Sequence, residues 1–188
     1  MDIPNIEKTR RVVTGIDAEG KSFVAIDGPP GSIIGANGAG LGEVWATDGM
    51  ADNSVKGDLG KRPVILEPPD GGSVCRFFIV EPEDKKLTPM ELEERAAAGF
   101  KAIGGEHCRP DTKRGPGMHT TRTIDYVILL DGELTLILDK GEVALKPFDV
   151  VVQRGTNHAW ENRGSKRALL VAVLVDAKPL PGKSGLMR

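Results

Sequence analysis

The apolar positions of this chain fall in short runs rather than in long helical stripes. The densest series lies between residues 118 and 176: Tyr126–Leu130, Leu134–Leu138, Glu142–Leu145, Val150–Val152 and Ala168–Val175. Turn signals at Asp131-Gly132 and Asp139-Lys140-Gly141 separate the first three runs, so the pattern predicts consecutive strands. Five short strands at close spacing argue for a sandwich or barrel. Ser73–Val80 predicts one more strand. Upstream, the runs Arg11–Val13, Ser22–Ile26 and Glu43–Ala46 are brief and broken by Gly28-Pro29-Pro30-Gly31 and by the glycines from Gly35 to Gly42. Residues 1–70 therefore read as an arm of short strands and loops, laid on the barrel or on a partner subunit. The Gly35–Gly42 stretch reads as a flexible loop. It lacks the Gly-Lys-Ser/Thr ending of a phosphate loop, and no helical pattern follows it.

One segment carries helix signals. Thr88-Pro89-Met90-Glu91 has the form of a capping box, with Pro89 at the first helical position where its missing N–H costs nothing. Leu92, Glu93, Glu94, Arg95 and three alanines follow. The helix is expected over about 89–98, with Gly99 as the left-handed residue that ends it and its charged residues on a solvated face.

Composition narrows the picture further. The 188 residues include 24 Gly and 13 Pro, about a fifth of the chain, which favours a turn-rich β protein. The net charge of −2 offers no basic stripe for nucleic acid, and no apolar run is long enough to span a bilayer. The start carries no secretory pattern, and Cys75 and Cys108 form no paired motif, so two reduced thiols in a cytoplasmic protein are expected.

The candidate chemistry rests on histidine. On a strand beginning at His119, alternation puts His119, Thr121, Thr123 and Asp125 on one face. His158 and Trp160 share a face on a later strand, while Tyr126 points the other way. If the sheet curls, His119, Asp125 and His158 converge, and two imidazoles with one carboxylate suit Fe(II) and related divalent metals. His107 reads as a surface-loop residue and Cys75 as a packed strand residue. Trp45 is a further candidate to line a cavity.

These segments resemble the cupins. The first cupin motif, G-x5-H-x-H-x(3,4)-E-x6-G, is matched from His119 through Thr121 and Asp125 to Gly132. The second, G-x5-P-x-G-x2-H-x3-N, is matched by Gly155, His158 and Asn162. This chain departs from the pattern at Thr121 (for the second His), Asp125 (for Glu) and Gln153 (for Pro), and Pro147-Phe148-Asp149 stands where the turn Gly belongs. The resemblance implies an all-β, cupin-type double-stranded β-helix, or jelly-roll barrel, over residues 71–188. The first motif lies at 115–132 and the second at 147–162, beside the N-terminal β-arm and one short helix.

The resemblance also implies a ligand cavity and a homodimer, but no single activity. One expectation is a small-molecule enzyme acting on a modest organic acid or an aromatic or carbonyl compound. Its chemistry would be that of a lyase, decarboxylase or isomerase carried by His119, His158 and Asp125, with Thr121, Thr123, Arg122 and Trp160 binding substrate. A second is a dioxygenase-like cupin holding Fe, Mn, Ni or Zn on His119, His158 and Asp125. A third is a non-catalytic small-ligand-binding cupin. Asp125 is also placed to satisfy Arg122, and Arg122 or Arg154 to pair with a substrate carboxylate. No nucleic-acid or membrane partner is expected.

Overall fold

The computed structural model describes residues 4–179. The outermost parts of the predicted arm (1–3) and barrel (180–188) lie outside the described residues. The strands are β1 (Arg11–Ile16), β2 (Ser22–Gly28), β3 (Ser32–Ile34), β4 (Leu41–Thr47), β5 (Ser73–Val80), β6 (Thr123–Asp131), β7 (Leu134–Leu138), β8 (Glu142–Leu145), β9 (Val150–Arg154), β10 (His158–Glu161) and β11 (Ala168–Asp176). The single α-helix, α1, spans Pro89–Ala102, and 3₁₀ turns occur at Ile6–Lys8 and Glu106–Cys108. No helix among the described residues is long and apolar enough to cross a membrane.

The strands form a six-stranded sheet in the order β3-β4-β5-β11-β6-β9, a three-stranded sheet β10-β7-β8 and a separate hairpin β1-β2. Every pairing is antiparallel. The two larger sheets face each other across Val127 and Leu129 of β6, Leu134 and Leu136 of β7, Leu145 of β8 and Leu170, Ala172 and Leu174 of β11. The strand spacing predicts such a sandwich or barrel, and the arrangement is that of the double-stranded β-helix that the resemblance implies. Along β6 the inward residues Thr123, Asp125 and Val127 are buried while Ile124 and Tyr126 face out. Each fully buried leucine contributes roughly 1.5–3 kcal/mol relative to exposure. β3 and β4 of the N-terminal region are strands of the barrel's own larger sheet. Arg11 on β1 fastens the hairpin to the barrel, forking onto Asp58 at 2.5–2.6 Å and donating to the Pro29 and Val44 carbonyls.

Three local expectations need correction. The 35–42 stretch is a hairpin turn rather than a free loop. Gly35, Asn37, Gly38 and Gly40 take positive φ, and Ala39 N–H bonds Ala36 O, so that Leu41 and Gly42 already belong to β4. Helix α1 runs one turn past the expected end, carrying Gly99 inside it. The reason is tertiary: Phe100, on that added turn, lies 4.9 Å from the His119 ring and beneath the Arg109 guanidinium. The left-handed glycine is Gly104 instead, at φ +65. Finally, β6 begins at Thr123, and His119 makes only an isolated bridge to His158. Segment 119–122 is held by loops: Thr120 N–H bonds Cys108 O, and Arg122 N–H bonds Glu67 Oε1.

The capping box forms as predicted, with Glu91 N–H donating to Thr88 Oγ1 and Thr88 N–H donating to Glu91. Thr88→Ala is expected to cost about 1 kcal/mol. In a chain of this size that corresponds to a drop in Tm of roughly 2–4 °C, readable by calorimetry.

Candidate active site

The interior has two ends of opposite character. Around Leu129, Leu134 and Leu170 it is apolar. Toward the start of β6 it is polar: Thr121, Thr123, Asp125, Gln153, Arg76 and Glu43 are all buried, alongside His119 and His158. Strand alternation produces this. On β5, Val74, Arg76 and Phe78 point inward, and Glu43 on β4 stands directly opposite Arg76.

His119 and His158 come together through their backbone bridge, each N–H donating to the other's carbonyl at 2.8 and 2.9 Å. Their ring centroids lie 4.2 Å apart. His119 Nδ1 lies 2.9 Å from Gly117 O, and His158 Nδ1 lies 2.9 Å from Thr156 O. A carbonyl only accepts, so each neutral ring carries its proton on Nδ1 and leaves Nε2 as the basic nitrogen. Burial pushes both imidazoles below their ordinary value. His158 is pushed well below, because His119 adds repulsion, and for His119 the Arg109 charge acts in the same direction. Both rings are therefore neutral at pH 7. Trp160 stands edge-on to His158 at 5.5 Å and touches Phe78.

Asp125 reaches the interior. Its pKa is raised to about 6, chiefly by burial, against a hydrogen bond from Thr123 and the nearby Arg76 charge; Glu67 pushes it further up. Asp125 Oδ1 is buried with no hydrogen-bond partner. Thr123 in turn bonds Thr121, Oγ1 to Oγ1, at 2.7 Å. Arg76 Nη2 bonds Glu43 Oε1 at 2.9 Å and Ile65 O at 2.5 Å, and its Nε has no acceptor. Glu43 Oε2 is likewise unpartnered. The polar end thus holds two acceptor oxygens and a guanidinium N–H that lack partners.

Not every expected residue joins this group. Arg122 turns outward, and its guanidinium binds Asp70 and Asp176 rather than Asp125. The cause is the loop that holds its backbone on Glu67 and faces its side chain to those two carboxylates. Arg154 is exposed, and Trp45 is half-buried on β4. His107 is 40% exposed, as a loop residue should be, yet its Nε2 sits 2.9 Å from Glu67 Oε2 and 3.4 Å from Cys108 Sγ. The metal implied by the family resemblance needs its donors around one point. Among the described residues, the three-residue set of His, Cys, Asp or Glu with donor atoms all within 4.8 Å of one another is Glu67, His107 and Cys108. His119, His158 and Asp125 are not gathered in that way, and the Thr121 hydroxyl is engaged with Thr123, so these residues do not fit a compact three-donor centre.

Glu43, Arg76 and Glu67 escape the sequence reading. A charged residue at an inward position of the apolar run Ser73–Val80 is the signal that marks Arg76; Glu43 then follows only from strand pairing. A cleft of about 1050 Å³ lies at the opposite end of the barrel, lined by Lys8, Glu81, Asp131 and Arg167 among others, away from the histidines.

Comparison with known proteins bears on the same region. A family model described as Cupin domain matches residues 106–174, from the Glu106–Cys108 turn to the end of β11. Phomopsin biosynthesis cluster protein C' of Diaporthe leptostromiformis is 32% identical over 187 aligned residues, covering 94% of this chain and 83% of that protein. The cupin-domain-containing oxidoreductase virC of Hypocrea virens is 30% identical, covering 94% of this chain and 80% of that protein. A Cupin 2 conserved barrel domain protein from Salinispora arenicola has a TM-score of 0.42 at 15% identity, covering 78% of this chain and 82% of its own. With a cupin family model matched from the Glu106–Cys108 turn to β11 and relatives aligned along nearly its whole length, the chain belongs to the cupin superfamily.

Proposed function

We propose that the polar end of the barrel is a proton-transfer site for a small carbonyl compound or β-keto acid, giving isomerase or lyase (decarboxylase) chemistry. The observation that carries this reading is the unpartnered Asp125 Oδ1 in the same buried polar group as the unpartnered Arg76 Nε. A buried oxygen and a buried N–H left without partners carry a desolvation cost that a bound polar ligand removes. Asp125 is mostly ionised at pH 7 and weakly basic, and it takes a proton from carbon next to a carbonyl. The negative charge that develops on the carbonyl oxygen is met by the unpartnered Arg76 Nε–H, while the Thr121–Thr123 hydroxyl chain, spent on the carboxylate, orients Asp125. Neutral His119 and His158, basic at Nε2, accept or return a second proton.

The test is a proton NMR screen in D₂O with acetylacetone, acetoacetate and dihydroxyacetone. Deuterium wash-in at carbon, or loss of CO₂, that is abolished in Asp125→Asn supports the reading. Similarity to the Hypocrea virens cupin-domain-containing oxidoreductase favours a second reading, an oxidoreductase. Products at a higher oxidation level, formed with oxygen uptake and without exchange at carbon, would replace the first reading with the second.

A further inference from the structure

We infer that Glu67, His107 and Cys108 form a binding site for a divalent transition metal, Zn²⁺ by the chemistry of its donors, outside the barrel interior. The three residues come from two separated segments. Glu67 lies in the loop after β4, and His107 and Cys108 lie in the 3₁₀ turn after α1. Their donor atoms nonetheless lie within 4.8 Å of one another. His107 Nε2 faces both partners, at 2.9 Å from Glu67 Oε2 and 3.4 Å from Cys108 Sγ. Tetrahedral zinc bonds of about 2.0–2.3 Å place neighbouring donors roughly 3.3–3.6 Å apart. Both spacings at His107 Nε2 lie near these values, so an ion enters with small shifts of the donors, taking the place of the Nε2 proton, which moves to Nδ1 as the ring changes tautomer.

The donor set selects the metal. One thiolate, one imidazole and one carboxylate favour zinc and its late-transition neighbours over magnesium or calcium, which take oxygen ligands. Three protein donors leave a fourth position. The half-exposed His107 side chain gives that position access to water. Binding deprotonates the Cys108 thiol and releases that proton to solvent.

The surroundings provide the support such a site needs. Arg122 N–H holds the other oxygen of Glu67, Leu66 N–H bonds Ile103 O, and Cys108 N–H bonds Gly105 O. The Cys108 carbonyl accepts from Thr120 N–H. An ion here clamps the Glu67 loop to the end of α1 and, through Thr120 and Arg122, to the segment that carries His119. The inferred role is a clip that fixes the wall of the barrel's polar end from behind.

Cobalt(II) titration of the reduced, metal-free full-length protein tests this directly. A bound thiolate gives a near-ultraviolet charge-transfer band, which the barrel histidines, with no cysteine among them, do not produce. The expected result is one equivalent of cobalt with this band, retained in Cys75→Ser and lost in Cys108→Ser, with zinc displacing the cobalt. His107→Ala weakens binding by more than about 100-fold, since losing a direct ligand exceeds the roughly 10–100-fold cost of losing a ligand's supporting hydrogen bond. If Cys108→Ser does not fold, His107→Ala decides, because its side chain is two-fifths exposed and its truncation leaves the core intact. No thiolate band at excess cobalt, a band that follows Cys75, or full affinity in His107→Ala overturns the assignment.

Discussion

Arg76→Met is expected to destabilise the fold at neutral pH by about 3–5 kcal/mol, the range for removing one partner of a buried ion pair. Arg76 and Glu43 face each other across β5 and β4, both almost completely buried and 2.9 Å apart. Glu43 Oε2 already lacks a partner, so without the guanidinium the whole carboxylate stands desolvated. Burial raises the Glu43 pKa even in the native chain, against the pull of Arg76 and, more weakly, Arg62. In the variant only Arg62 opposes burial, and the pKa rises further. A carboxyl whose folded pKa exceeds its unfolded value binds more protons when folded. The destabilisation is therefore complete above the folded pKa and fades as pH falls toward the unfolded value. Urea unfolding at several pH values checks this: the gap between variant and native chain should narrow on acidification. The double variant Glu43→Leu/Arg76→Met should recover most of the loss, because a buried ion pair replaced by apolar residues of similar size is often neutral or better. A double variant less stable than Arg76→Met alone would show that the pair is not what the single substitution breaks.

The same pair shows where sequence reading stops. Strand alternation places Thr123, Asp125, Val127 and Leu129 on one inward face, because a period of two is a local property of the chain. The capping box at Thr88–Glu91 was legible for the same reason. Motif spacing also foretold that His119 and His158 belong to one neighbourhood. What the sequence does not carry is which strands become neighbours. Glu43 and Arg76 are 33 positions apart and meet only because β4 pairs with β5 in one register. Glu67 and His107 are held together by loops with no repeating pattern, so His107 reads as a surface residue until the 64–68 loop is folded against it. Arg122 fails for the complementary reason. Its neighbours in sequence suggested the cavity, while Asp70 and Asp176, brought up from distant segments, draw it outward.

Asp125→Asn is expected to move activity and stability in opposite directions. Whichever probe compound undergoes exchange or decarboxylation, its rate should fall by about 10²–10⁴-fold, the usual contribution of a positioned acid–base group. The fold should gain stability on the order of 1–3 kcal/mol above pH 6. The sign follows from Asp125 itself. Its pKa rises from 3.8 in the free side chain to about 6 when folded, because burial outweighs the Thr123 hydrogen bond and the Arg76 charge. The folded protein binds the proton more tightly than the unfolded chain, so stability declines as pH rises from about 4 to about 6 and stays reduced above that. Asparagine has the same shape and no charge to desolvate, so the variant escapes that decline. Its stability advantage should vanish below about pH 4, where the aspartate is protonated in both states. A group kept for packing behaves otherwise: its replacement lowers stability, and activity falls only in proportion to the unfolded fraction. Thermal unfolding from pH 4 to 8, set beside the exchange rates, separates the two cases. A stabilised but inactive Asp125→Asn protein places the proton-transfer group at Asp125. A destabilised one, or one that keeps its full rate, makes the carboxylate a structural member of the Thr121–Thr123 chain.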